Sequence, residues 1–125
     1  MSLQTSRYAL IVDDDESIRG LIRTLLQLEK FEVDEASSGN EAIGRLRMRH
    51  YDVIVLDLMM ALGSGFDVLE ASEAERPGEK FVIVVSATSQ AAIDKIEGAQ
   101  IVAKIRKPFD IEELLSAVRQ CTQHR

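Results

Sequence analysis

The chain has one cysteine, no long apolar run, and fewer basic than acidic side chains. Each shortage excludes something. Cys121 alone supports neither a disulfide framework nor a thiolate metal site, which fits a reducing compartment. A transmembrane helix needs roughly 20 consecutive apolar residues, and no run here approaches that length. The segment Met1-Ser2-Leu3-Gln4-Thr5-Ser6 also lacks the apolar centre of a signal peptide, so the expected location is the cytoplasm, with no membrane partner. Fifteen Lys and Arg against 21 Asp and Glu leave a formal charge of -6. That balance argues against holding DNA or RNA by phosphate neutralisation and favours basic or neutral partners. Repeats and low-complexity tracts are missing as well.

What is present is enough for one core. The 125 residues are 46% hydrophobic and 29% charged, which suits a single globular domain. Residues 1–6 are expected to be disordered or a cloning remnant, 7–120 a folded domain and 121–125 a polar C-terminal tail.

Short continuous apolar runs alternate with segments of three-and-four spacing, the pattern of a parallel sheet with crossover helices. Tyr8 to Val12 reads as a first strand, followed by a helix from about Ser17 to Leu28 with Ile18, Leu21, Ile22, Leu25 and Leu26 on one face. Phe31, Val33 and Ala36 alternate with Glu32 and Asp34, as on an edge strand. Ser38 and Glu41 have capping-box spacing before a second helix carrying Ala42, Ile43 and Leu46. Asp52 to Asp57 and Phe81 to Ser86 are almost wholly apolar, hence central strands covered on both faces. A third helix runs through Phe66, Val68, Leu69 and Ala71 and ends before Pro77-Gly78. Between Ser89 and Gly98 the apolar stripe is thin, so a short helix is expected there. The strand at Ile101 to Lys104 takes in a lysine and suits the other edge. Asp110 and Glu113 then open a last helix with Ile111, Leu114, Leu115 and Val118. The fold class is therefore α/β, a doubly wound, flavodoxin-like five-stranded parallel sheet in the order 2-1-3-4-5.

That order brings Asp13, Asp14 and Asp57 together at the carboxyl edge, where open α/β sheets bind ligands. Three adjacent carboxylates repel one another unless a cation neutralises them. Without nearby Cys or His, the donors suit Mg²⁺ or Mn²⁺ rather than zinc. Asp15 reads as a helix cap. At the mouth of a buried strand, Asp57 has the position of a metal ligand or of a nucleophile that forms an acyl phosphate. Ser86 offers a hydroxyl and Lys107 a point charge to phosphoryl oxygens.

Ile11-Val12-Asp13-Asp14-Asp15, Asp57-Leu58-Met59-Met60 with Ser64-Gly65, Val84-Val85-Ser86-Ala87 and Lys107-Pro108-Phe109 together resemble the receiver domain of two-component response regulators. The resemblance spans about Arg7 to Val118. It implies that Asp57 accepts a phosphoryl group from a phosphohistidine on a sensor histidine kinase or histidine phosphotransfer protein. It further implies Mg²⁺ held by Asp14, Asp57 and the Met59 carbonyl, with Asp13 acting largely through water. Lys107 then pairs with the phosphoryl oxygens, Ser86 is the switch hydroxyl, and the Lys107-Pro108 bond is cis. The domain would assist only its own phosphorylation and dephosphorylation, and would regulate a partner or an attached output or kinase domain.

Three departures qualify the resemblance. Ala61 replaces the usual proline, and Lys104 stands where the family often has an aromatic ring that rotates on activation. The stretch Ala91 to Ile101 also lacks the family's usual approach to the fifth strand, which predicts an atypical fourth helix. Rival readings are a phosphorylation-independent pseudo-receiver acting as a protein-binding module, an aspartyl phosphohydrolase and a flavodoxin-like cofactor binder. Met59 stands where such hydrolases place a second aspartate, and the three leading acids would repel a phosphate without metal. His50, His124, Arg45, Arg47 and Arg49 read as solvated surface residues.

Overall fold

The computed structural model describes residues 7–60, 65–74, 80–98 and 100–123. Five strands, β1 (Arg7–Val12), β2 (Phe31–Ala36), β3 (Val53–Leu56), β4 (Phe81–Ser86) and β5 (Ile101–Arg106), form one parallel sheet in the order β2-β1-β3-β4-β5. Between and after them lie α1 (Glu16–Leu28), α2 (Gly39–Met48), α3 (Gly65–Ala74), α4 (Gln90–Asp94) and α5 (Ile111–Gln123). The expected strand order and alternation are both present.

Strand periodicity divides the core into two layers. On one face Ala9, Ile11, Val53, Val55, Ile83 and Val85 pack with Ile22, Leu25 and Leu26 of α1 and with Leu114 and Val118 of α5. On the other, Leu10, Val12, Ile54, Leu56, Val82 and Val84 pack with Ala42 and Leu46 of α2 and Val68 and Leu69 of α3. All four β3 residues are buried because the strand is central and covered on both sides. Each such aliphatic side chain contributes roughly 1.5–3 kcal/mol of transfer free energy.

Local signals place the helix starts. Asp15 caps α1, its carboxylate accepting from the Ser17 and Ile18 amides. Ser38 caps α2 through the Glu41 amide, but the Glu41 carboxylate reaches back to the Ser37 amide, one residue earlier than a standard capping box. That bond lowers the Glu41 pKa, since it favours the ionised form.

Two features differ from the expectation. β5 continues two residues past Lys104, to Arg106, because the β4 ladder carries it: a register shift after Val82 sets Lys104 opposite Val84 and Arg106 opposite Ser86. The C-terminal boundary at residue 120 falls inside α5, which continues to Gln123 because Cys121 is an apolar anchor of the α1–α5 core rather than part of a polar tail. Arg49 is exposed, as expected, and also has partners. Its guanidinium stacks 4.3 Å from the Tyr8 ring centroid and lies 3.9 Å from the Asp34 carboxylate. The fourth helix has only five residues, as its thin stripe predicts, with Ile93 its buried anchor. Residues 1–6 and the pairs Ala61 with Ser64 and Pro77 with Gly78 lie outside the described residues.

Candidate functional site

At the carboxyl end of β1 the chain leaves the sheet under restraint. The Asp13 amide donates to the Ala36 carbonyl at the end of β2, 3.1 Å away. The Asp13 carboxylate is buried at 1% exposure, and both its oxygens are engaged: Oδ1 accepts from the Asp15 amide at 2.9 Å and Oδ2 from Lys107 Nζ at 2.6 Å. Asp14, next in the chain, is exposed. One acid is thus locked into the protein while its neighbour faces outward.

Asp57 follows β3, and its amide donates to the Val12 carbonyl at 2.9 Å, which ties it to the end of β1. Its Oδ1 accepts from the Met59 amide at 3.0 Å, and its Oδ2 lies 3.3 Å from Lys107 Nζ. Gly65, the first residue of α3, lies against this turn. A Cβ there would stand 2.5 Å from both the Asp57 carbonyl oxygen and Leu58 Cα, so only glycine allows the close approach.

Lys107 crosses to both acids from beyond β5, its amide donating to the Ser86 carbonyl at 2.8 Å, and the Lys107-Pro108 peptide is cis. Ser86 ends β4 fully buried, its hydroxyl accepting from the Thr88 amide at 3.4 Å.

The electrostatics follow from burial. Desolvation raises the Asp57 pKa, and the Met59 amide and the Lys107 charge offset this only in part. Burial works against the Lys107 charge too, but the hydrogen bond and attraction of Asp13, followed by those of Asp57, outweigh it and raise the pKa. One lysine therefore serves two carboxylates, with a third acid beside them.

Ligand oxygens of Asp13, Asp14 and Asp57 all lie within 4.8 Å of one another. Hard oxygen donors at this spacing, with no thiolate or imidazole among them, fit Mg²⁺, which keeps several waters and takes one or two carboxylates. The engagement of Asp13 on both oxygens fits contact through water. The residues present suit the ion.

Of the residues singled out in the sequence, Asp13, Asp14, Asp57, Ser86 and Lys107 meet at this edge, and the Met59 amide joins them. Lys104 does not. It shares the Val84 face of the sheet and is exposed there. His50 stands apart, 3.7 Å from Asp52. Arg19 and Glu35 were not singled out in the sequence, yet Arg19 Nη1 donates to the Asp13 carbonyl at 2.8 Å while its Nε donates to Glu35 at 3.1 Å. The available signal was an arginine four residues after a helix cap, which in one dimension says nothing about a glutamate on another strand.

Residues 9–119 match the family model described as the response regulator receiver domain. The chain belongs to this family. It is 34% identical over 116 residues to the transcriptional regulatory protein DltR of Streptococcus agalactiae, covering 91% of this chain and 51% of DltR. It is 32% identical over 112 residues to the probable transcriptional regulatory protein TcrX of Mycobacterium tuberculosis, covering 88% and 47% of the two chains. The chain thus spans about half the length of the curated relatives it matches. Among solved structures, the response regulator TrrA of Thermotoga maritima in complex with Mg²⁺ and beryllofluoride matches at a TM-score of 0.79 and 27% identity, covering 92% of this chain and 98% of that one. The beryllofluoride-activated DrrB receiver domain matches at a TM-score of 0.83 and 26% identity, over 95% and 99% of the two chains.

This receiver domain is part of two-component signalling, and phosphorylation is the standard means of signalling in its family. Receiver domains bind Mg²⁺ at an acidic pocket, interact with histidine kinases, and are not catalytic enzymes in the usual sense. No helix among the described residues is long and apolar enough to cross a membrane.

Proposed function

We propose that Asp57 is the phosphoacceptor and that its phosphorylation switches the domain. The observation that carries this reading is the shared Lys107 ammonium, 2.6 Å from Asp13 and 3.3 Å from Asp57, beside the exposed Asp14 carboxylate. Asp57 Oδ attacks the phosphorus of a phosphohistidine on a sensor kinase or phosphotransfer protein. The P–N bond breaks as the P–O bond forms, and the imidazole leaves. Asp13, Asp14, Asp57 and the Met59 carbonyl would hold Mg²⁺ or Mn²⁺. Bound there, the ion offsets the charge shared by the acids and the incoming phosphoryl oxygens.

Lys107 pairs with the new oxygens, and the Ser86 hydroxyl, now turned to the Thr88 amide, moves to donate to them. The added charge biases a two-state element at the β4–β5 edge. In this reading the domain assists only its own phosphorylation and hydrolysis, works in the cytoplasm and touches no nucleic acid itself. The output belongs to a partner or an attached domain.

The test is beryllofluoride or acetyl phosphate with Mg²⁺, followed by ¹⁹F and backbone NMR. Wild type gives a bound ¹⁹F signal with beryllofluoride, and with either reagent shifts around Ser86 and Lys107; Asp57→Ala gives neither. Equal responses in both would defeat the proposal and favour a phosphorylation-independent binding module.

A further inference from the structure

We propose that Arg19, clamped by Glu35, is a positioning residue that orients the Asp13-Asp14 acid pair and so sets the affinity of the site for its divalent cation. This rests on the reading of Asp13, Asp14 and Asp57 as the metal-holding acids.

The peptide that joins Asp13 to Asp14 has one carbonyl, that of Asp13, and Arg19 Nη1 donates to it at 2.8 Å. The Asp13 amide is held by the Ala36 carbonyl and the Asp13 carboxylate by the Asp15 amide. With the carbonyl also anchored, the plane of the Asp13-Asp14 peptide is determined, and with it the direction in which Asp14 leaves the backbone.

The Arg19 guanidinium is itself held. Its Nε donates to Glu35 Oε1 at 3.1 Å, and Arg23 Nη1, one helical turn on, donates to Glu35 Oε2. Glu35 stands at the end of β2, opposite Ile11 in the sheet, one residue before the carbonyl that receives the Asp13 amide. The side-chain and backbone anchors of the loop therefore come from adjacent residues of one edge strand. Arg19 is 16% exposed at its side chain and Arg23 is 44% exposed, so the first is a partly buried strut and the second a peripheral brace. A guanidinium suits this role because its rigid planar fork aims Nε at the carboxylate and Nη1 at the carbonyl in fixed directions, whereas an ammonium is a point charge on a flexible stem.

Charge and positioning predict opposite signs. A cation beside a metal site repels the metal, so if Arg19 acted only by charge its removal would tighten binding. If it positions the acids, removal weakens binding, as loss of groups that orient ligands does by about 10–100-fold elsewhere.

The experiment measures Mn²⁺ affinity by electron paramagnetic resonance, with thermal unfolding of each protein as a fold control. Expected are a loss of about ten-fold in Arg19→Met and a similar loss in charge-conserving Arg19→Lys. Glu35→Gln should lie between these and wild type, and Arg23→Met within about two-fold of wild type. In acetyl phosphate labelling, Arg19→Lys should need more Mg²⁺ for half-maximal rate yet approach the wild-type rate at saturation, a split that general loosening of the fold would not give. Unchanged or tighter Mn²⁺ binding in a folded Arg19→Lys overturns the positioning role alone. Absence of Mn²⁺ binding in wild type overturns it together with the reading of the acids.

Discussion

Lys107 Nζ lies 2.6 Å from Asp13 and 3.3 Å from Asp57, so a single ammonium holds together acids carried beyond two different strands. Its removal leaves two buried carboxylates without their cation. Loss of one partner from a buried ion pair costs about 3–5 kcal/mol, and Lys107→Met should destabilise the metal-free protein by the lower end of that range in urea unfolding with EDTA. Mg²⁺ should narrow the gap. The raised Lys107 pKa means that its contribution is present below the ordinary lysine value of 10.5 and is lost as pH rises through the folded-state value. An unfolding midpoint that is unchanged on substitution would contradict this.

Gly65→Ala tests the contact beneath Asp57. Alanine ordinarily favours a helix by about 1 kcal/mol over glycine, but here its Cβ would meet backbone at 2.5 Å. The expected net effect is destabilisation by about 2 kcal/mol, in the range for overpacking, with weaker beryllofluoride binding because the Asp57 turn must shift. A stabilised variant would show that this approach tolerates a side chain.

Tyr51 gives a pH-dependent prediction far from the site. Its hydroxyl donates to Asp34 Oδ2 at 2.6 Å, and burial first, then Asp34, raise the phenol pKa above its ordinary 10.0. A folded pKa above the unfolded one stabilises the fold below about pH 10, and that contribution fades as pH rises further. Tyr51→Phe should cost about 1.5–3 kcal/mol at neutral pH, the range for a hydrogen bond to a charged group. The difference from wild type should shrink in urea unfolding carried out above about pH 10.

Lys104 is exposed on the Val84 face and makes no part of the acid cluster. Lys104→Ala should therefore leave the acetyl phosphate labelling rate within about two-fold, the effect expected of an exposed cation screened by solvent. A larger loss would place the residue in the chemistry of the edge rather than in the surface beyond it.

The layer structure was legible in the chain because burial has a period. Continuous apolar runs at Val53–Leu56 and Phe81–Ser86 require cover on both faces, and the alternation in Phe31–Ala36 marks an edge. The short α4 was legible for the same reason, since a thin apolar stripe supports little helix. The Arg49–Tyr8 stacking was not legible because the two are distant in sequence, and the place of Cys121 was not because a polar tail composition hides one apolar position on a helix face.

By itself, the sequence determined the α/β alternation, the strand order and the set of polar residues at the strand ends, since local periodicity and chain connectivity suffice for these. Only the tertiary structure decided how that set divides its work. Asp13 is enclosed with both oxygens engaged while Asp14 faces out, Lys107 spans two acids, and Arg19 is fastened to Glu35 above the peptide between the acids. These relations join β1, β2, β3 and the segment after β5. They depend on distances of a few ångströms between segments far apart in the chain, and the order of residues does not contain such distances.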